Sequence, residues 1–177
     1  MKRVILYCRV SSQKQTIYGL SISEQEYRLR KYCESMGWVI IEIIHEVRPA
    51  KTFRERVEIS RIFREMKRAD CRFDTILCLS FDRFSRDVSS AQQAMHYLKE
   101  SKIEIHTMER RYNLYTVAGR REYVADAYRA MDDNLSRAAR AEGAVKHRMQ
   151  MGEAPFRVPL GYKKIPGNKH KDPLKRT

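Results

Sequence analysis

The chain has 177 residues, enough for one domain with a hydrophobic core plus an extension. Hydrophobic residues make up 42% and charged residues 33%, which excludes a disordered chain, and no run approaches the ~18 apolar residues of a membrane span. Thirty-six Lys and Arg against 22 Asp and Glu leave a net charge of +14; this points to a polyanionic partner, with a merely solubilising surface as the alternative.

Val4 to Tyr7 read as a short apolar strand, entered after only Lys2 and Arg3, so no signal peptide is expected. Ser21-x-x-Glu24 is a capping box opening a helix that runs to Gly37, with Ile22, Leu29, Cys33 and Met36 near one face. The β-branched run Trp38 to Ile44 predicts a second strand. Thr52-x-x-Glu55 offers another capping box, and behind it Ile59, Ile62, Phe63 and Met66 share one helix face. Thr75 to Leu79 is continuously apolar, as a parallel strand buried on both faces is. A helix from about Val88 to Ser101 and a strand from Ile103 to Met108 follow. The alternation predicts an α/β fold, a mainly parallel sheet flanked by helices.

The last third differs. From Arg120 to Met151 there is no proline, and only Gly143 interrupts good helix formers. Val124, Tyr128, Met131, Leu135, Ala138, Val145 and Met149 follow a 4-3-4-3 spacing, with Glu142 the polar break. A period of about 3.5 residues predicts a long helix packing along another helix, and about 32 residues would span roughly 48 Å. The alternative is that it curls over its own sheet. Beyond Gly152 the chain turns rich in Pro, Gly and Lys; Arg140 to Thr177 holds ten basic residues against three acidic. This reads as a basic linker or the start of another module.

Cys8, Cys33, Cys71 and Cys78 form no C-x-x-C pair, and the five histidines are scattered. No metal site is therefore expected; the thiols read as reduced, with Cys8 and Cys78 buried.

Two clusters carry chemistry, each just behind a predicted strand: Tyr7-Cys8-Arg9-Val10-Ser11-Ser12 and Phe81-Asp82-Arg83-Phe84-Ser85-Arg86-Asp87. Open α/β sheets bind ligands at the carboxyl ends of their strands. A serine hydroxyl needs activation, and fixed guanidiniums stabilise the charge that gathers on a phosphodiester during displacement. Such a set can perform phosphoryl transfer without a metal. Read singly, Ser11 would be a turn or cap serine and each arginine a surface charge; together the clusters argue otherwise. Rival motifs are missing: no G-x-x-x-x-G-K-[ST], no G-x-G-x-x-G and no G-x-S-x-G. A cysteine phosphatase loop would need Arg six positions after Cys, where Cys8 has Lys14 and Cys78 has Phe84.

Tyr7 to Ser12 resembles the opening motif of the resolvase–invertase superfamily of serine recombinases, whose Arg-Val-Ser triplet carries the nucleophile. Asp82 to Arg86 is similar to that family's Asp-Arg-Leu-Ser-Arg signature. Gly19 to Gln25 resembles its helix start bearing a glutamine, and Ala50-Lys51-Thr52 followed by Arg56 resembles the segment supplying another arginine. Pro159-Leu160-Gly161-Tyr162 looks like the junction after the long helix in large serine recombinases.

The resemblance implies that Ser11 attacks the phosphodiester to form a 5′-phosphoserine link. It implies that Arg9, Arg83, Arg86 and Arg56 bind the phosphate, and that Asp82 and Gln25 orient them. It implies no cofactor and no metal. The implied partners are double-stranded DNA and further copies of the chain, a dimer that becomes a tetramer in the synaptic complex, paired through the long helix. Arg137, Arg140, Lys146, Arg148, Lys163 and Lys164 are the candidate DNA contacts. The expected organisation is a resolvase-like catalytic domain over 1–118, the long helix over 119–151 and a basic linker or start of a DNA-binding domain over 152–177. A cytoplasmic protein of bacterial, phage or mobile-element origin is expected. Two departures stand out: Val57 replaces the Pro that large members often have, and Ala139 stands where the family often has Arg, flanked by Arg137 and Arg140. Integrase, transposase and resolvase roles stay open, with a lean to the large integrase or transposase type. The competing function is a non-catalytic DNA-binding or regulatory module of the same fold.

Overall fold

A computed structural model describes residues 1–10, 21–47, 56–68 and 70–151, together with the backbone of two short strands near the end of the chain. The chain forms two compact units, Met1–Asp132 and Asp133–Thr177.

In the first unit the elements run β1 (Arg3–Val10), α1 (Ile22–Met36), β2 (Val39–Val47), α2 (Val57–Met66), β3 (Thr75–Cys78), α3 (Phe81–Phe84), α4 (Val88–Glu100), β4 (Glu104–Thr107), β5 (Arg111–Tyr112) and the start of α5 (Val117–Gln150). The sheet has the order β2-β1-β3-β4-β5. Its first four strands are parallel and β5 pairs antiparallel at the edge. The mainly parallel α/β sheet expected from the strand–helix rhythm is what forms. The chain leaves β1 for β2 on one side and later returns to β3 on the other, so the topological switch point lies between β1 and β3.

Strand alternation divides the core. Val4, Leu6 and Cys8 join Leu77 and pack on Leu29 and Cys33 of α1. Ile5 and Tyr7 join Ile76 and Cys78 on the opposite face, against α2, α4 and the first turns of α5. The same alternation sends Arg9 to the Ile5 and Tyr7 face.

Local signals explain most boundaries. Ser21 Oγ accepts the Glu24 N–H at 3.1 Å, and Gly37 closes α1 with φ 63°, a left-handed value that favours glycine. Leu29 and Cys33 are buried on the inner face as expected, Gln25 joins them, and Met36, expected there too, is exposed. Helix α2 begins at Val57 with Arg56 in the cap position; the Thr52–Glu55 box lies outside the described residues. Ile59, Ile62, Phe63 and Met66 are all buried, as their spacing predicts. The four cysteines are free thiols, and Cys8, Cys33 and Cys78 are buried.

Helix α5 is the long helix expected, and its first turns follow the alternative reading, in which it lies over its own sheet. It starts at Val117, earlier than expected, where the Thr116 hydroxyl accepts the Gly119 N–H at 3.0 Å. The stripe it buries in the first unit is Gly119, Tyr123, Ala127 and Ala130. Of the heptad pattern's larger apolar residues, Val124 packs partly against the core, whereas Tyr128, Leu135 and Met149 are exposed, Tyr128 49% and Leu135 58%. At Gly119 the approach is close, since a Cβ there would lie 2.0 Å from the Asn113 carbonyl oxygen, and around the large Tyr123 the stripe is completed by small residues that a search for large ones passes over. The first turns of the helix thus cover the chain's own sheet.

In the second unit α5 continues to Gln150 with exposed side chains, Val145 alone being half-buried among those described. Beyond it β6 (Tyr162–Lys164) and β7 (Leu174–Arg176) pair antiparallel, a two-stranded ribbon within the tail that composition presents as a linker.

Candidate active site

Arg9 is the penultimate residue of β1 and only 1% exposed. Its Nε donates to the Arg83 carbonyl at 2.9 Å and its Nη2 to the Asp82 carbonyl at 2.8 Å. Arg56, also 1% exposed, donates from Nη1 to the Phe84 carbonyl at 2.5 Å. The acceptors are the last carbonyls of the single helical turn α3, which carry partial negative charge and have few partners within so short a helix. The Asp-Arg-Phe turn is therefore held by two buried guanidiniums arriving from distant parts of the chain.

Gln25 holds the backbone of Arg9 itself. Its Oε1 accepts the Arg9 N–H and its Nε2 donates to the Arg9 carbonyl, both at 3.2 Å. Strand β3 pairs with β1 only as far as Tyr7, and past that point the glutamine amide supplies the two bonds a neighbouring strand would have made.

The Asp82 carboxylate faces Arg83 Nη1 at 3.4 Å and Arg86 Nη2 at 3.7 Å, and these three side chains are between 17% and 20% exposed. Behind them the Tyr7 hydroxyl donates to the buried carboxylate of Glu46 on β2. Burial pushes the Tyr7 phenol well above its ordinary range, reinforced by Glu46 and opposed by the charges of Arg56 and Arg9. Burial, together with the neighbouring charges of Arg56, Arg86 and Arg83, lowers Arg9 to about 10. It remains charged at neutral pH. Four guanidiniums thus share one locality at the carboxyl ends of β1 and β3, a concentration of positive charge suited to a phosphate group.

Among the residues singled out in the sequence, Arg9, Gln25, Arg56, Asp82, Arg83 and Arg86 come together. Ser11 lies outside the described residues, immediately after Val10, the last residue of β1. Arg137, Arg140, Lys146 and Arg148 are exposed on α5 in the second unit; Arg140 Nε donates to the Ser136 carbonyl at 3.2 Å, and Lys146 pairs with Glu142 at 2.9 Å. The side chains of Lys163 and Lys164 lie outside the description. Glu46 and Ser80 were not foreseen. Glu46 lies past the Trp38 to Ile44 run read as the second strand, and β2 also carries Glu42 and His45, so nothing singled it out; Ser80, ahead of the signature, carried no signal of its own.

Fold and geometry together define an α/β domain with an arginine-rich cluster at its topological switch point. A family model, Resolvase, N terminal domain, matches residues 4–153, and the chain belongs to this family of serine recombinase catalytic domains. The N-terminal catalytic domain of TP901-1 integrase is similar in structure, with a TM-score of 0.60 and 27% identity over 76% of this chain and 99% of that one. Two further structures share the fold. A resolvase family site-specific recombinase from Streptococcus pneumoniae has a TM-score of 0.58 at 15% identity, covering 84% of this chain and 99% of that one. The C-terminal catalytic domain of ISC1926 TnpA, an IS607-like serine recombinase, has a TM-score of 0.50 at 19% identity, covering 59% and 69%. In sequence, an uncharacterized immunity region protein 3 of Bacillus phage phi105 is 49% identical over 37 residues, which is 21% of this chain and 45% of that protein.

Proposed function

We propose that the chain cleaves and rejoins DNA at specific sites by serine-mediated phosphoryl transfer. The observation that carries the reading is the convergence of Arg9, Arg56, Arg83 and Arg86 at the end of the strand that leads directly into Ser11. The Ser11 oxygen bonds to phosphorus, the bond to the 3′-oxygen breaks, and that oxygen leaves as a hydroxyl after taking a proton. The 5′ phosphate stays on the serine as an ester. Attack by the 3′-hydroxyl of another strand reverses the step and frees Ser11, so the bond energy is conserved and rejoining requires no ATP. Fixed guanidiniums stabilise the charge on the non-bridging oxygens in both directions.

Double-stranded DNA is the substrate in this reading, with Arg137, Arg140, Lys146, Arg148, Lys163 and Lys164 as phosphate contacts. The outward apolar residues Tyr128, Leu135 and Met149 suit pairing with a second copy of the chain, as a dimer and then a tetramer. The likeness to an integrase catalytic domain and the Pro159–Tyr162 junction favour the large integrase or transposase type, from a phage or mobile element.

Covalent trapping tests this. The chain is incubated with a pool of random-sequence duplexes, each nicked so that cleavage releases a short fragment and cannot reverse. Wild type is expected to yield a detergent-resistant protein–DNA adduct that Ser11→Ala abolishes. No adduct from a pool that the chain demonstrably binds would refute the chemistry and leave a DNA-binding module.

A further inference from the structure

Ser80 stands between β3 and α3 with extended backbone, φ −150° and ψ 163°, in the cap position of the α3 turn. A serine there ordinarily turns its oxygen onto the free N–H groups of the first turn. Ser80 makes no such side-chain bond. Its hydroxyl instead donates to Asp82 Oδ1 at 2.5 Å, while its own carbonyl accepts the Arg83 N–H at 3.1 Å. The cap interaction is given up in favour of a carboxylate.

That carboxylate has an exacting position. Its other oxygen, Oδ2, faces Arg83 at 3.4 Å and Arg86 at 3.7 Å, distances of ion pairing without direct hydrogen bonding. The terminal torsion of an aspartate is broad, so a carboxylate held by charge alone turns readily between competing cations. Turned flat against one guanidinium, it would form a bidentate pair with that arginine and release the other. The Ser80 bond restrains the carboxylate at Oδ1, on the side away from the two guanidiniums.

We propose that Ser80 is a positioning residue: by clamping Oδ1 of Asp82 it holds Arg83 and Arg86 jointly aimed at the phosphate. The proposal rests on the recombinase reading of this site, and its test separates the two. The rigidity of the Arg83 and Arg86 Nε–Hε bonds is measured by heteronuclear NOE in the full chain without DNA. Wild type and Ser80→Thr, which keeps the hydroxyl, are expected to show rigid Nε–Hε groups. Ser80→Ala, with an unchanged amide spectrum elsewhere, is expected to show both groups mobile, and its trapping rate on the nicked duplex pool should fall roughly tenfold, the worth of one hydrogen bond to a charged group. In an Asp82→Ala background the same serine change should add nothing.

Rigid arginines in Ser80→Ala would overturn the proposal, as would an equal loss of rigidity from the serine change with Asp82 already removed. Mobile arginines in a protein whose wild type forms no adduct would refute the recombinase reading and leave the clamp standing. Adduct formation at the wild-type rate by Ser80→Ala with rigid arginines would do the reverse.

Discussion

Replacing Gln25 by alanine removes two hydrogen bonds at once and leaves the N–H and C=O of Arg9 facing the buried side of α1 where the amide had been. A net hydrogen bond contributes about 1 kcal/mol, and a buried backbone group left without one costs about 1–3 kcal/mol. Both bonds are at the long end of the range, so the expected loss is about 2–4 kcal/mol. For a chain of this size that lowers Tm by roughly 5–15 °C. Thermal unfolding followed by circular dichroism measures it, with urea unfolding as the check on the free energy.

Gln25→Glu adds a sign. An ionised carboxylate can accept the Arg9 N–H but opposes the Arg9 carbonyl, whereas the protonated form donates to it. The folded state therefore binds the proton more tightly than the unfolded chain, whose glutamate titrates near 4.3 on the reference scale. The deficit of this variant relative to wild type is then small below about pH 4 and opens as pH rises through the raised folded value. A Gln25→Ala variant within about 2 °C of wild type, or a Gln25→Glu deficit independent of pH, would refute the view that this amide completes the ladder past β3.

Gly119→Ala should destabilise by about 2–3 kcal/mol, because the new Cβ meets the Asn113 carbonyl; helix propensity alone predicts a stabilisation of about 1 kcal/mol, and a raised Tm would show that the contact yields. Tyr7→Phe removes the hydroxyl from the buried Glu46 carboxylate and should cost about 1–3 kcal/mol in urea unfolding, with Glu46→Gln in the same background recovering part of it; no recovery would mean that the carboxylate is satisfied elsewhere. Burial lowers the His106 imidazole below its ordinary value, and the charges of Lys2 and Arg111 act in the same direction against the opposing Glu104. The folded pKa being depressed, this contribution is present above about pH 6.5 and is lost as pH falls below it. The urea midpoint should therefore drop between pH 7.5 and 5.5 in wild type and drop less in His106→Gln; equal drops would assign the effect to other groups.

What the sequence determined by itself is what local geometry encodes. Short continuous apolar runs placed β1 and β3, helical spacing placed Ile59 to Met66 on one face, and Ser21 with Gly37 bounded α1. These signals are legible because strand pleat, helix pitch and end-capping involve residues within a few positions of each other. The Ser11 and Asp82 to Arg86 motifs were legible in the same way, as local runs. Tertiary structure decided the rest. Arg9, Gln25, Glu46, Arg56 and the α3 turn come from five separate segments, and their meeting depends on the β2-β1-β3 order and on where β3 ends. Neither is written in any one segment. Short elements such as α3 and β5 are too brief for a period to show. The buried stripe of α5 went to Gly119, Tyr123, Ala127 and Ala130, and at Gly119 close approach to the Asn113 backbone selects for small size, while sequence patterns weigh hydrophobic bulk. Ser80 shows the same limit at one residue: a helix-cap serine and a carboxylate clamp look identical until the partner two positions on is seen in space.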